Sequence, residues 1–157
     1  MISHFELYLT FENIYLWTNY GVIPFWVMLI MIPNHSVTQF FLNSIIIPLI
    51  LGGAYIYIIY QTALLDISVF GIFKLYLNLD ELYTVFSTES FLLIFWLHFV
   101  ALNIFLGSWM VRDAGKYNMS RSITFLPLIL VYFTGPVGIV FYWLIRLFFS
   151  KKIKFHD

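Results

Sequence analysis

The chain has no cysteine. That excludes disulfides, thiolate metal sites and a cysteine nucleophile. Charge is scarce as well: Asp, Glu, Lys and Arg make up 10% of 157 residues, and the formal net charge is zero. Soluble domains average about 25% charged residues. With no basic surplus and no basic patch interleaved with aromatics, nucleic acid is not an expected partner. His4, His35, His98 and His156 are scattered, and HExxH, a Gly-rich phosphate loop and GxSxG are all missing. The expectation is therefore no metal, no paired-histidine haem and no other cofactor. The first 13 residues lack a basic n-region, and no small-residue cleavage site follows the first apolar run. That run is expected to stay as a helix.

What the chain has is apolar surface. Hydrophobic residues make up 62% and aromatics 22%, against about 45–50% apolar residues in average soluble domains. A soluble fold of this size has too little interior to hide them, whereas lipid can act as their solvent. The composition predicts a single all-α, integral membrane domain over residues 1–157, multi-pass, with no internal repeat. A membrane helix needs about 20 mostly apolar residues, and four segments qualify: roughly 14–32, 45–65, 91–111 and 123–149. The first holds Pro24 and the fourth Pro136, so both are expected to be kinked. At ~1.5 Å per residue the fourth exceeds the ~30 Å hydrocarbon core. It must tilt, bend at Pro136 or push Arg146 toward the headgroups.

Between the second and third spans, Asn78 and Glu81 fit a capping box, with Leu77 and Leu82 as its staple. Leu79, Leu82, Tyr83 and Phe86 follow at helical spacing. This predicts a short amphipathic helix lying in the interface. Four spans put Lys74, Arg146, Lys151, Lys152 and Lys154 on one side, and Arg112, Lys116 and Arg121 on the other. Five against three favours both termini in the cytoplasm, with the basic tail on anionic headgroups.

The third span carries the polar groups. On a straight helix His98, Ala101, Leu102, Phe105, Trp109 and Arg112 fall within about 60° of one line, with Asn103 about 140° away, near Gly107. His98 reads either as a proton-transfer group or as a neutral interhelical hydrogen-bonding partner. Asn103 reads as interhelical glue, and Gly107 with Ser108 as a close-packing position. Snorkelling explains Arg112. Asp113 is unfavourable at a helix C-terminus and is expected to pair with Lys116 or Arg121. The break at Gly135-Pro136-Val137-Gly138 reads as an ordinary proline kink or as a cavity wall.

Trp96, His98, Ala101, Asn103, Gly107, Trp109, Arg112-Asp113-Ala114, Pro127 and Gly135-Pro136-Val137-Gly138 together resemble the motifs of the plant neoxanthin synthase family and its bacterial relatives. Upstream, Trp26, Pro33 and residues 79–86 also fit. Asn103 stands where the family pattern has an aspartate, and asparagine exchanges no proton near neutral pH. The resemblance implies cofactor-free isomerisation of an epoxy-carotenoid to an allene, in a bacterial inner membrane or a plastid-type membrane. It implies His98, Arg112 and Asp113 as acid–base and oxyanion-stabilising groups. Trp96, Asn103, Phe105 and Trp109, with Tyr132, Gly135 and Pro136, would line the slot for a carotenoid or other apolar lipid. A homo-oligomer is compatible with this reading. The alternative is a non-enzymatic membrane scaffold or assembly subunit. A small transporter is disfavoured by the lack of an inverted repeat.

Overall fold

The computed structural model describes residues 9–43, 46–64, 76 and 78–150. Among these the chain is all-helical, with seven helices: α1 (Phe11–Met31), α2 (Ser36–Asn43), α3 (Ile46–Leu64), α4 (Leu79–Phe86), α5 (Glu89–Lys116), α6 (Arg121–Thr134) and α7 (Pro136–Ser150). Two of them, α1 and α5, are long and apolar enough to cross a membrane. The segment expected as the second span forms α3, and the segment expected as the interfacial helix forms α4. Leu77 and the basic tail lie outside the described residues.

The chain forms two compact units. The first is drawn from Met1–Val22 and Ile46–Phe99. Its core is apolar, with Ile14, Val22, Leu51, Ile58, Leu93 and Leu97 buried. Thr62 is buried in it, and its hydroxyl donates to the Ile58 carbonyl at 2.7 Å. The cap of α4 forms as its sequence dictates, since Asn78 Oδ1 accepts from the Glu81 N–H at 2.9 Å. No residue of α4 is buried, and Leu79 and Tyr83 are exposed. An exposed apolar face on a capped two-turn helix suits the interface.

The second unit is drawn from Ile23–Ile45 and Val100–Asp157. Here α5 ends in a Schellman motif: Met119 N–H reaches the Ala114 carbonyl at 3.0 Å and Asn118 N–H the Gly115 carbonyl at 3.3 Å. Asn118 takes the left-handed conformation the motif needs, φ 50°, which asparagine tolerates better than most residues.

The expected single fourth helix is instead two helices, α6 and α7. Gly135 ends α6 at φ 57°, ψ −87°, donating its N–H to Val131. Pro136 then starts α7, where its fixed φ suits a helix start and its missing N–H costs nothing. The break is a reversal rather than a kink. A Cβ on Gly138 would lie 2.2 Å from the Val131 backbone nitrogen, although those residues would be about 10 Å apart along one helix. Hydrogen bonds and ring contacts place Asn103 beside Tyr132, Trp109 beside Tyr142 and Asp113 beside Arg146. So α7 runs parallel to the C-terminal half of α5, and α6 runs antiparallel to both. Pro24 and Pro127, by contrast, sit inside unbroken helices.

Candidate functional site

Two polar clusters are built around the C-terminal half of α5, one at each end of the hairpin. At the open end, Arg146 projects from α7 to Asp113 on α5. Its Nε donates to Asp113 Oδ2 at 2.6 Å and one terminal nitrogen to Oδ1 at 3.4 Å, while that nitrogen also donates to the Tyr117 hydroxyl at 3.0 Å. Tyr142, one turn earlier on α7, donates its phenol to Asp113 Oδ2 at 2.8 Å. The guanidinium lies 4.8 Å from the Tyr117 ring centroid and 5.7 Å from that of Trp143, both within cation–π range. The cluster is closed to solvent: Asp113 is 3%, Arg146 1% and Tyr142 0% exposed. A forked donor set around one carboxylate is the arrangement that makes a buried ion pair tolerable.

This corrects two expectations. Asp113 pairs with Arg146 rather than Lys116 or Arg121, and Arg146 is buried rather than pushed outward. Both errors follow from treating 123–149 as one helix. Once Gly135 reverses the chain, Arg146 returns to the end of α5 it was expected to leave. Arg146 thus lies at the same end of the hairpin as Asp113, not at the far end of a single spanning helix. The i, i+4 spacing of Tyr142 and Arg146 was the signal available in the sequence.

At the closed end, the Asn103 amide donates to the Tyr132 carbonyl at 3.4 Å. That carbonyl sits four residues before Pro136, which has no N–H to offer it. Asn103 Oδ1 would lie 2.6 Å from a Cβ on Gly135, so the amide packs directly on the turn. Tyr132 meets Trp26 edge-on at 5.3 Å, and a Cβ on Gly107 would fall 2.9 Å from the Trp26 ring. Asn103, Gly107, Tyr132 and Gly135 thus form one packed joint. Asn103→Asp is expected to cost about 1–3 kcal/mol, the range for leaving a buried polar group unpaired. Denaturant titration in detergent micelles would measure it, and an unchanged midpoint would refute the joint.

The remaining sequence-predicted residues are dispersed. The Trp96 indole N–H donates to Asn19 Oδ1 at 3.2 Å, and its ring packs on Tyr15 and Phe99 in the first unit. Trp109 packs edge-on against Tyr142 at 5.8 Å. His98, Leu102, Phe105 and Arg112 are exposed, Phe105 at 60%. The line from His98 to Arg112 therefore faces outward, and the opposite face, with Asn103, Gly107, Met110 and Ala114, is buried. Pro136, Val137, Val140, Phe141 and Leu144 line a wholly apolar, open groove of about 360 Å³ on α7.

No curated protein and no solved structure matches the chain. A family model described as ABA DEFICIENT 4-like matches residues 13–142. That span runs from the start of α1 to Tyr142 in the buried cluster and takes in the Asn103–Gly135 joint. The chain belongs to the ABA DEFICIENT 4-like family.

Proposed function

We propose that this protein lies in a membrane, with α1, α3, α5 and the α6–α7 hairpin embedded, and binds a carotenoid-type polyisoprenoid whose epoxide end group it isomerises to an allene. Family membership over residues 13–142 is the observation that carries this reading. Two apolar helices of spanning length support the membrane setting.

The reaction balances without an external reductant or oxidant. A vinylic carbon beside the epoxide loses a proton, its C–H pair becomes the second double bond of the allene, the C–O bond breaks, and the freed oxygen takes up a proton. One imidazole suffices, because it accepts the first proton and returns it to the oxygen. His98 fits that role: it is exposed on α5, where a lipid-dissolved substrate reaches it without entering the fold. Arg112 lies fourteen residues on, ~21 Å along the helix. It is too far to serve the same atom and suits the opposite polar end of a long substrate. Phe105 lies between them on the same exposed line, and the polyene is proposed to run along it. Asp113, already bonded to Arg146 and Tyr142, is proposed as a positioning residue.

The test is expression in a host that makes epoxy-carotenoids, followed by pigment extraction. New allenic pigment is expected, falling about 100-fold or more in His98→Ala, the usual scale for losing a general acid–base group, with protein abundance unchanged because His98 is exposed. Unchanged host pigments and none co-purifying would remove the reading. The saturated hydrogen bonding of the Asp113 cluster favours a second one, a non-enzymatic membrane scaffold. In that case His98→Ala alters abundance or assembly and no pigment changes.

A further inference from the structure

We propose that α6 and α7 form a re-entrant hairpin: the chain enters the membrane from the α5–α6 turn, reverses at Gly135 near the midplane, and returns to the side it came from. This rests on the membrane reading above. Helix α5 has 28 residues, ~42 Å, and amply spans a ~30 Å core. Helices α6 and α7 have 14 and 15 residues, ~21–23 Å each, and neither spans it. The hairpin tip meets α5 at Asn103, the middle of that helix. The open end meets α5 at Asp113, three residues from its C-terminus. The hairpin thus covers the C-terminal half of α5 and stops at mid-depth.

The tip is built for that depth. Non-helical backbone is tolerated in the hydrocarbon only where it is buried in protein. Gly135 is buried, its N–H is bonded to Val131, its carbonyl accepts from Ile139 at 3.2 Å, and Asn103 donates to the Tyr132 carbonyl. The balance of the chain's charges agrees, with Lys74, which precedes α4 in sequence, as the exception. Among the described residues all four Lys and Arg, namely Arg112, Lys116, Arg121 and Arg146, lie at the open end, and Asp113 is the one carboxylate there. In sequence Lys151, Lys152 and Lys154 follow α7. Positive residues hold their side in the cytoplasm, which places the open end there and the N-terminal end of α5 opposite. Of the two termini, the one following α7 is then cytoplasmic.

The lack of cysteine makes the test direct. Ser87→Cys before α5, Ser120→Cys in the α5–α6 turn and Ser150→Cys at the end of α7 are each labelled with a membrane-impermeant maleimide, on intact cells and then on permeabilised ones. Ser87→Cys is expected to label in intact cells, and Ser120→Cys and Ser150→Cys only after permeabilisation. If Ser150→Cys sides with Ser87→Cys and opposes Ser120→Cys, α7 ends across the membrane and the hairpin is overturned while the membrane reading stands. If carbonate washing releases the protein, or all three sites label alike, the membrane reading itself fails and the hairpin with it.

Discussion

Removing either partner of the Asp113–Arg146 pair is expected to be the most damaging single change in this protein. Asp113→Ala leaves a buried guanidinium without its carboxylate, and Arg146→Ala leaves the reverse. Breaking a buried pair from one side costs about 3–5 kcal/mol, because the surviving charge is uncompensated. That is comparable to the whole stability of many domains. Removing both charges together, as in Asp113→Leu with Arg146→Met, should recover most of the loss, since apolar replacement of a buried pair is often neutral. The Tyr142 hydroxyl then loses its carboxylate acceptor and keeps the weak Met119 Sδ at 3.9 Å, so recovery should be more complete with Tyr142→Phe added. Abundance in the membrane and the unfolding midpoint in detergent measure the series. Equal damage from the single and double changes would show that the ion pair is not what holds α7 to α5.

Gly138→Ala is expected to come next. A Cβ there would lie 2.2 Å from the Val131 backbone nitrogen and 2.7 Å from the Leu130 carbonyl carbon. The obstacle is helix backbone rather than a side chain that can swing away. Relief therefore means separating α6 from α7. Overpacking costs about 1–3 kcal/mol where side chains yield, and here the upper end or more is expected. Gly52→Ala provides the control, since a Cβ there meets nothing within 4 Å, and a gain of helix propensity is expected instead. The two variants should move the unfolding midpoint in opposite directions. A harmless Gly138→Ala would mean that the hairpin is not closely packed.

Much of the helical content is local and follows from the sequence. Asn78 and Glu81 announce α4, and the cap forms. Unbroken apolar runs announce α1, α3 and α5. The motif residues between 96 and 138 pointed to the right family. What misled was the assumption that a helix continues through Gly135-Pro136. A proline alone kinks a helix and leaves its direction broadly intact. A glycine at positive φ before a proline at a helix start reverses it, and whether that glycine takes positive φ is decided by what packs around the turn. Here Asn103, on another helix, fills the space a side chain at Gly135 would need.

The periodicity of α5 was also legible, since His98 and Asn103 do fall on different faces. Which face turns inward was not. Period and spacing are the same for either orientation, and the polar groups on the two faces looked equally costly to expose. Only contacts with α6, α7 and Trp26 select the Asn103–Gly107 face for burial. Composition and local pattern thus determined an apolar, helical chain and its family, because hydrophobic burial and helix capping act over a few residues. The tertiary structure decided that Arg146 meets Asp113 and that His98 looks outward, because a reversal at one glycine sets the partner of every residue after it.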